Sequence, residues 1–370
     1  MRRRSFLASP LLAAAPLAAG EEGEPRIYAR GDGIPHTPAE YAQLLTTLTK
    51  ANGVAVDDYS RGGVIEQLET RMAAVLGKEA AVWLPTGTLA NHLAVRLLAG
   101  NRRRVLVQSE CHLFNDCGDC AQTLSGLNLM PLAPGRSTFT LQDVERVAYE
   151  GSTGRVEVPI GAVQVETPVR RRNGERFDFA EMKKVAAWAR AHNAGLHLDG
   201  ARLLLECAYS GHSAKEYAAL FDTVYISMYK YFNSGSGAIL AGPKAQLANL
   251  YHTRRMFGAG MPHCWTFAAV ALHYLTGFEA RFKTAVDASE QVIAALGKDS
   301  NFGIERIPNG TNIFRLRVFG VNAPVYQNRL ENAGITTVNP TGDWFHLQVN
   351  ETWNRLPATA ITDRFKRALT

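Results

Sequence analysis

The chain has 370 residues, enough for one large or two moderate domains with a substantial core. Its 46% hydrophobic and 20% charged residues describe an ordinary soluble globular protein, and no internal apolar run approaches the roughly 20 residues a membrane helix needs. Formal net charge is +6, but three of the Arg fall in the first 20 residues and take half of that charge with them, which argues against nucleic acid as a partner.

Residues 1–20, MRRRSFLASPLLAAAPLAAG, have a basic start, a short apolar stretch and a small-residue end. This predicts a secretory signal, and the run from Arg3 to Leu7 resembles a twin-arginine signal. The expectation is export to the periplasm or beyond by the twin-arginine route, a cut after Gly20, and no stable membrane insertion once the signal is gone.

From residue 62 onward, helix and strand patterns alternate. Val64, Ile65, Leu68, Met72, Val75 and Leu76 recur at helical spacing before Gly77. AAVWL (80–84) predicts a short buried strand, GTLANHLAVRLLAG (87–100) a helix and RVLVQ (104–108) the next strand. Arg102–Arg104 has no aromatic interleaving and reads as a solvated loop edge. CGDC at 117–120 has redox-motif spacing, but no second pair of Cys or His stands beside it for zinc. In an exported protein some of the five Cys could pair; the reading adopted is small buried residues.

PIGAVQVE (159–166) is strand-like, and the helix 178–195 opens with Asp178 and Glu181 in a capping-box pattern. Strands follow at 196–199, 222–229 and 237–242. Strand–helix–strand units in series predict an α/β fold with a mostly parallel, doubly wound sheet. The alternation restarts as a shorter block after about 265. Hence the expected organisation is a signal (1–20), an N-terminal arm with a large domain (21–264) and a smaller C-terminal α/β domain (265–370).

Ligands of open α/β sheets bind at the carboxyl ends of the strands. PTGT, His112, Asp199 and Lys230 all follow predicted strands on that edge. A lysine past a buried strand can form a Schiff base with an aldehyde, and a neighbouring carboxylate can keep a pyridinium nitrogen protonated. That pairing points to pyridoxal 5'-phosphate. Asp199 would meet the ring N–H⁺, and Arg202 would bond the ring oxygen or a substrate carboxylate. Gly87 and Thr88 would offer backbone donors to the phosphate at a helix start, with hydroxyls from Thr86, Thr88 and Ser227. His112 is placed to stack on the ring. Ser227-Met228-Tyr229-Lys230 also fits Ser-x-x-Lys, but the Ser-Asp-Asn and Lys-Thr-Gly partners of penicillin-binding enzymes are missing.

PTGTLAN, CHLF, HLDGAR and RRMFGAGM, in this order, resemble motifs of the threonine aldolase and aromatic amino acid β-eliminating lyase family of fold-type-I pyridoxal-phosphate enzymes, as does RGDGIPHTPAEYAQLL. The likeness covers roughly residues 29–280. It implies a carbon–carbon lyase that cleaves a β-hydroxy amino acid to glycine and an aldehyde. By position, Lys230 is the Schiff-base lysine, Asp199 the pyridine partner, His112 the stacking residue and Arg202 a ring-oxygen or substrate contact, with Gly87 and Thr88 in the phosphate loop. It also implies a homodimer or homotetramer in which RRMFGAGM approaches a neighbour's cofactor.

The departures lie at the substrate end. Tyr229 precedes the lysine and Tyr231-Phe232 follow it, predicting aromatic bulk beside it. Gly31 stands where the family has Ser, Pro262 and His263 where it has Arg, and GDWFHLQVN lacks an initial Arg. Arg202, helped by one of Arg170, Arg171 or Arg172, is left to clamp the substrate carboxylate, and His112 or His36 to act as base. β-Elimination releasing ammonia and a keto acid, and cofactor binding without turnover, are the alternatives.

Overall fold

The computed structural model describes residues 25–370, so the predicted export signal lies outside the described residues. After the short strand β1 (Ile27–Tyr28), the chain builds a seven-stranded sheet from β2 (Ala80–Leu84), β3 (Arg104–Gln108), β4 (Asn128–Leu132), β5 (Ile160–Glu166), β6 (Gly195–Asp199), β7 (Thr223–Ser227) and β8 (Ala238–Gly242). Their spatial order is β2-β8-β7-β6-β5-β3-β4. Pairing is parallel from β7 through β4, whereas β8 runs antiparallel to both of its neighbours. β5 and β7 are buried along their whole length, as strands covered by helices on both faces must be.

The predicted strands are all present within a residue or two of their expected ends. β4 was not foreseen. Its sequence, NLMPL, contains Pro131, which cannot donate to a ladder, and β4 occupies the sheet's edge, where that loss is tolerated. The helix Phe179–Ala191 starts as expected, with Asp178 accepting from the Glu181 N–H at 2.8 Å. Only half of a capping box forms, because the Glu181 carboxylate turns away to accept from Leu141 N–H and pair with Lys184.

A three-stranded antiparallel sheet, β12-β10-β9, forms from β9 (Phe302–Arg306), β10 (Ile313–Val318) and β12 (Trp344–Gln348). The remaining strand, β11 (Ile335–Thr336), pairs in parallel with β1. The two hydrophobic cores do not divide at residue 264/265. Trp265–Leu275 packs its Ala268, Val270 and Ala271 into the large core, as do Phe278 and Phe282, while Ala285, Val292 and Leu296 of the same following helix enter the small one. Ile27 and Ala29 of the arm also join the small core. The sequence alternation changes at 265, but the burial stripe of Phe278–Leu296 passes from one core to the other along a single helix.

Candidate active site

The carboxyl ends of β2, β3, β5, β6 and β7 open on one cavity of about 890 Å³, lined among others by Thr86, Gly87, Thr88, His112, Glu166, Asp199, Arg202 and Lys230. Seven of the eight predicted site residues are therefore together. Ser227 is the exception. It is fully buried, its hydroxyl lies beside that of Tyr225, and it does not line the cavity. Ser234, Gly235 and Ser236 on the following turn line it instead.

Asp199 ends β6 and is 2% exposed. Its Oδ2 accepts from Asn91 Nδ2 at 2.6 Å and its Oδ1 from the Ala201 N–H at 3.2 Å. Asn91 Oδ1 lies 2.8 Å from His197 Nε2, and His197 Nδ1 lies 2.9 Å from Thr223 Oγ1. Since Asn91 spends its amide on Asp199, its oxygen accepts from His197 Nε2–H, and Nδ1 accepts from the Thr223 hydroxyl. Burial pushes the His197 imidazole down to about 4, which keeps this chain neutral. Asn91 and His197 were visible only as members of PTGTLAN and HLDGAR. Their roles emerge from the register that sets β6 beside β7 and the helix Gly87–Ala99 across β6.

Among the described residues no cation forms an ion pair with Asp199. An ionised carboxylate so buried needs a cationic partner. The residues present thus fit a pyridinium ring. Gly87 adds to the fit: a Cβ there would stand 2.0 Å from the Tyr225 hydroxyl, so only glycine lets the helix Gly87–Ala99 begin this close to the cavity floor. Thr86 caps that helix by accepting from Leu89 N–H.

Lys230 follows β7, with its Nζ 3.4 Å from the Tyr229 hydroxyl. Burial first, and then the Arg202 guanidinium, push its ammonium down to about 8, against an opposing pull from Asp199. Glu166, unremarked in the sequence, ends β5 in register with Asp199. It accepts from the backbone N–H of His112 and of Arg170, and burial beside the Asp199 charge holds its carboxyl above the usual range. It ties the β3 loop and the Arg170 loop to the same strand end.

The opposite wall belongs to the N-terminal arm. Asp32 Oδ2 pairs with Arg202 at 2.8 Å, so that arginine is already anchored. Gly33 packs where a Cβ would lie 2.2 Å from Asn233 Oδ1 and 2.4 Å from the Lys230 carbonyl oxygen, and the Ile34 N–H donates to Asn233. Gly31 N–H donates to the Gln348 side chain of β12. His36 lines the cavity, but its Nε2 is 2.9 Å from the Tyr274 hydroxyl, and burial lowers its basicity. Of the arginine triple only Arg170 reaches the cavity; Arg171 pairs with Asp116 at 2.7 Å and Arg172 with Glu175.

The predicted aromatic bulk is mostly absent. Tyr229 lines the cavity, but Tyr231 and Phe232 are buried against Phe278, with ring centroids 5.0 and 5.2 Å away. The turn after Lys230 swings these two side chains into the core. In RRMFGAGM, Arg254 is 1% exposed and holds the carbonyls of Trp83, Tyr59 and Ser60, outside this cavity.

The sequence profile of the beta-eliminating lyase family matches residues 49–313. The chain belongs to this family. A probable low-specificity L-threonine aldolase of Schizosaccharomyces pombe (strain 972 / ATCC 24843) is 25% identical over 286 residues, spanning 76% of this chain and 73% of that protein. The alanine racemase TOXG of Cochliobolus carbonum is 27% identical over 257 residues, or 69% of this chain and just under two thirds, 64%, of its own length. Among solved structures, a Listeria monocytogenes EGD-E protein assigned as an L-allo-threonine aldolase superposes with a TM-score of 0.76, at 24% identity, covering 93% of this chain and 95% of that one. This likeness establishes the fold as that of the expected family. The matched span of residues 49–313 contains the whole cofactor-side wall but not the arm residues 30–36.

Proposed function

We propose that this cavity binds pyridoxal 5'-phosphate and that the protein is a carbon–carbon lyase cleaving a β-hydroxy amino acid to glycine and an aldehyde. The observation that carries this reading is Asp199: a buried carboxylate with no ion-pair partner among the described residues, sharing one cavity with a lysine whose ammonium is pushed down to about 8. The relation to threonine aldolases supports it. Bound there, the cofactor supplies an aldehyde that joins to amines and a protonated ring that accepts the electron pair freed when a bond to Cα breaks.

The protein's own residues have distinct tasks. Lys230 would hold the cofactor through its amine, which burial and Arg202 help to free of its proton. Asp199 would keep the ring nitrogen protonated, while Asn91 and His197 fix the carboxylate's direction. Gly87 and Thr88 would present backbone donors to the phosphate at a helix start. Arg202, oriented by Asp32, clamps the substrate carboxylate, with Arg170 adding charge at the mouth. His112 takes the β-hydroxyl proton as the Cα–Cβ bond breaks, since its pKa is raised while that of His36 is lowered. Arg30, Arg170 and Tyr229 border the space for the departing aldehyde, favouring a bulkier or more acidic substituent than threonine's methyl.

A panel of β-hydroxy and β-substituted amino acids tests this, scored for glycine plus aldehyde against ammonia plus keto acid. Glycine plus aldehyde from a large or acidic substrate supports the reading. Ammonia plus keto acid would make the protein a β-eliminating enzyme, interconversion of D and L forms without cleavage a racemase, and a bound cofactor indifferent to every amino acid a binding protein.

Two further proposals accompany it. The chain acts as a homodimer or homotetramer: Val56, Tyr59 and Met256 expose 58%, 38% and 65% of their surface around RRMFGAGM, an apolar patch suited to burial against a neighbour. A monomer by light scattering, with cofactor bound, would overturn this. The chain is also exported on its twin-arginine-like leader, and Arg3→Lys plus Arg4→Lys is expected to retain it in the cell.

A further inference from the structure

CGDC forms a tight turn beside the cavity. Cys120 N–H donates to the Cys117 carbonyl at 3.3 Å, and Gly118 and Asp119 both adopt positive φ, 57° and 51°. A four-residue turn of this kind holds its end Cα atoms within about 7 Å, inside or near the roughly 4.4–6.8 Å that a disulfide bridges. Both residues are free thiols, and each shifts the other's acidity, Cys117 upward and Cys120 downward. Cys117 is buried and Cys120 half-buried, so Cys120 is the accessible member.

Cys117 also faces the site. Its Sγ lies 3.2 Å from His112 Nδ1 and 3.7 Å from Thr88 Oγ1. One sulfur thus bridges two residues that line the cavity, His112 and Thr88. We propose that Cys117 is a positioning residue for His112, and that its oxidation to a disulfide with Cys120 withdraws this support and slows the enzyme.

The oxidant is a small-molecule disulfide, RSSR. The Cys120 thiolate attacks one of its sulfurs, and RS⁻ leaves with a proton from solvent. Cys117 then gives up its proton, its sulfur attacks Cys120 Sγ, and the second RS⁻ departs. Two protein thiols are oxidised and one RSSR is reduced to two RSH. A disulfide sulfur has no proton for Thr88 and is a poor acceptor for an imidazole N–H, so His112 loses its tether at Nδ1. The tether now raises the His112 pKa more than anything else does, and burial lowers it. Asp199 and Cys117 add to the rise and Lys230 opposes it. Asp116 also faces His112 electrostatically, and Glu166 holds its backbone N–H. Oxidation therefore shifts the midpoint of His112 downward. The slowing of turnover rests on the lyase reading above; the thiol chemistry and the His112 shift do not.

The test compares the full-length wild type with C120S and C117A, reduced and after treatment with excess oxidised glutathione. Peptide mapping locates any disulfide, histidine NMR follows the His112 midpoint, and turnover is read on the best substrate. In the wild type a Cys117–Cys120 bond is expected, with a lower His112 midpoint and turnover down on the order of tenfold, restored by dithiothreitol. C120S keeps the His112 contact and stays active under oxidant. C117A shows the lowered midpoint and slow turnover in both states. The proposal is overturned if no Cys117–Cys120 bond forms, if the bond forms and the His112 midpoint stays put, or if C120S loses as much activity as the wild type. No turnover in any reduced sample would instead count against the lyase reading, leaving the bond and the midpoint to decide the thiol proposal.

Discussion

The two walls of the cavity are built differently. The cofactor-side wall rises from strand ends and a helix start within one sheet, and its central carboxylate is held by a buried chain of Asn91, His197 and Thr223. The substrate-side wall is assembled from distant pieces: the arm at Gly31–His36, the loop bearing Arg170, and Gln348 of the second sheet. Its rim is also open to water: the Arg170 side chain is 53% exposed, against 8% for Asp32 and 18% for Arg202 deeper in the same wall. A group fixed in a dry sheet acts with far more electrostatic leverage than one on a wet rim. Losses on the first wall should therefore be large and fall on kcat, whereas losses at the wet rim of the second should be small and fall on KM.

Lys230→Ala should show the largest effect. Turnover should fall below detection, beyond the roughly 10²–10⁴-fold that a positioned proton-transfer group supplies, and the visible absorbance of bound cofactor should vanish. Asp199→Asn should come next. The cofactor should stay bound while kcat falls by roughly 10²–10³, the usual range for one lost charge-stabilising contact. A mutant within about threefold of wild type would remove the difference between the walls.

The pH dependence gives an intermediate effect. Because the Lys230 ammonium is pushed down to about 8, cofactor attachment to apo protein needs the neutral amine that prevails above that pH. The rate should climb roughly tenfold per pH unit below about 8 and level off above it. Asp199 raises this value, so Asp199→Asn should move the midpoint lower. A midpoint near that of an ordinary lysine would show that the cavity does not depress it.

Arg170→Ala should have the smallest effect, raising KM by up to about fivefold with kcat nearly unchanged, as suits an exposed charge. A hundredfold loss in kcat would put Arg170 among the groups that act in the transition state.

The same contrast governs what could be read before the fold was known. Asp199, Lys230, His112 and Gly87 stand in short motifs at or after strand ends, so periodicity plus the strand-end rule expects them on one edge of the sheet, and they line one cavity there. Ser227 did not follow, because a strand's alternation sets a side chain's face but not whether a larger neighbour, here Tyr225, occupies the cavity in its place. Tyr231 and Phe232 were misjudged for a related reason: adjacency to Lys230 says nothing about the direction of a turn, and the core around Phe278 drew them in. β4 was hidden by Pro131. The pairing of Ile27 with Ile335 joins residues from opposite ends of the chain, and no local pattern announces it.

Reduction with borohydride followed by peptide mapping tests the central claim most directly. Purified protein loaded with pyridoxal 5'-phosphate is reduced, digested and searched for the cofactor adduct. The account predicts the adduct on Lys230 alone, and none in Lys230→Ala. An adduct on Lys215 or Lys244, or a stable one that persists in Lys230→Ala, would contradict it.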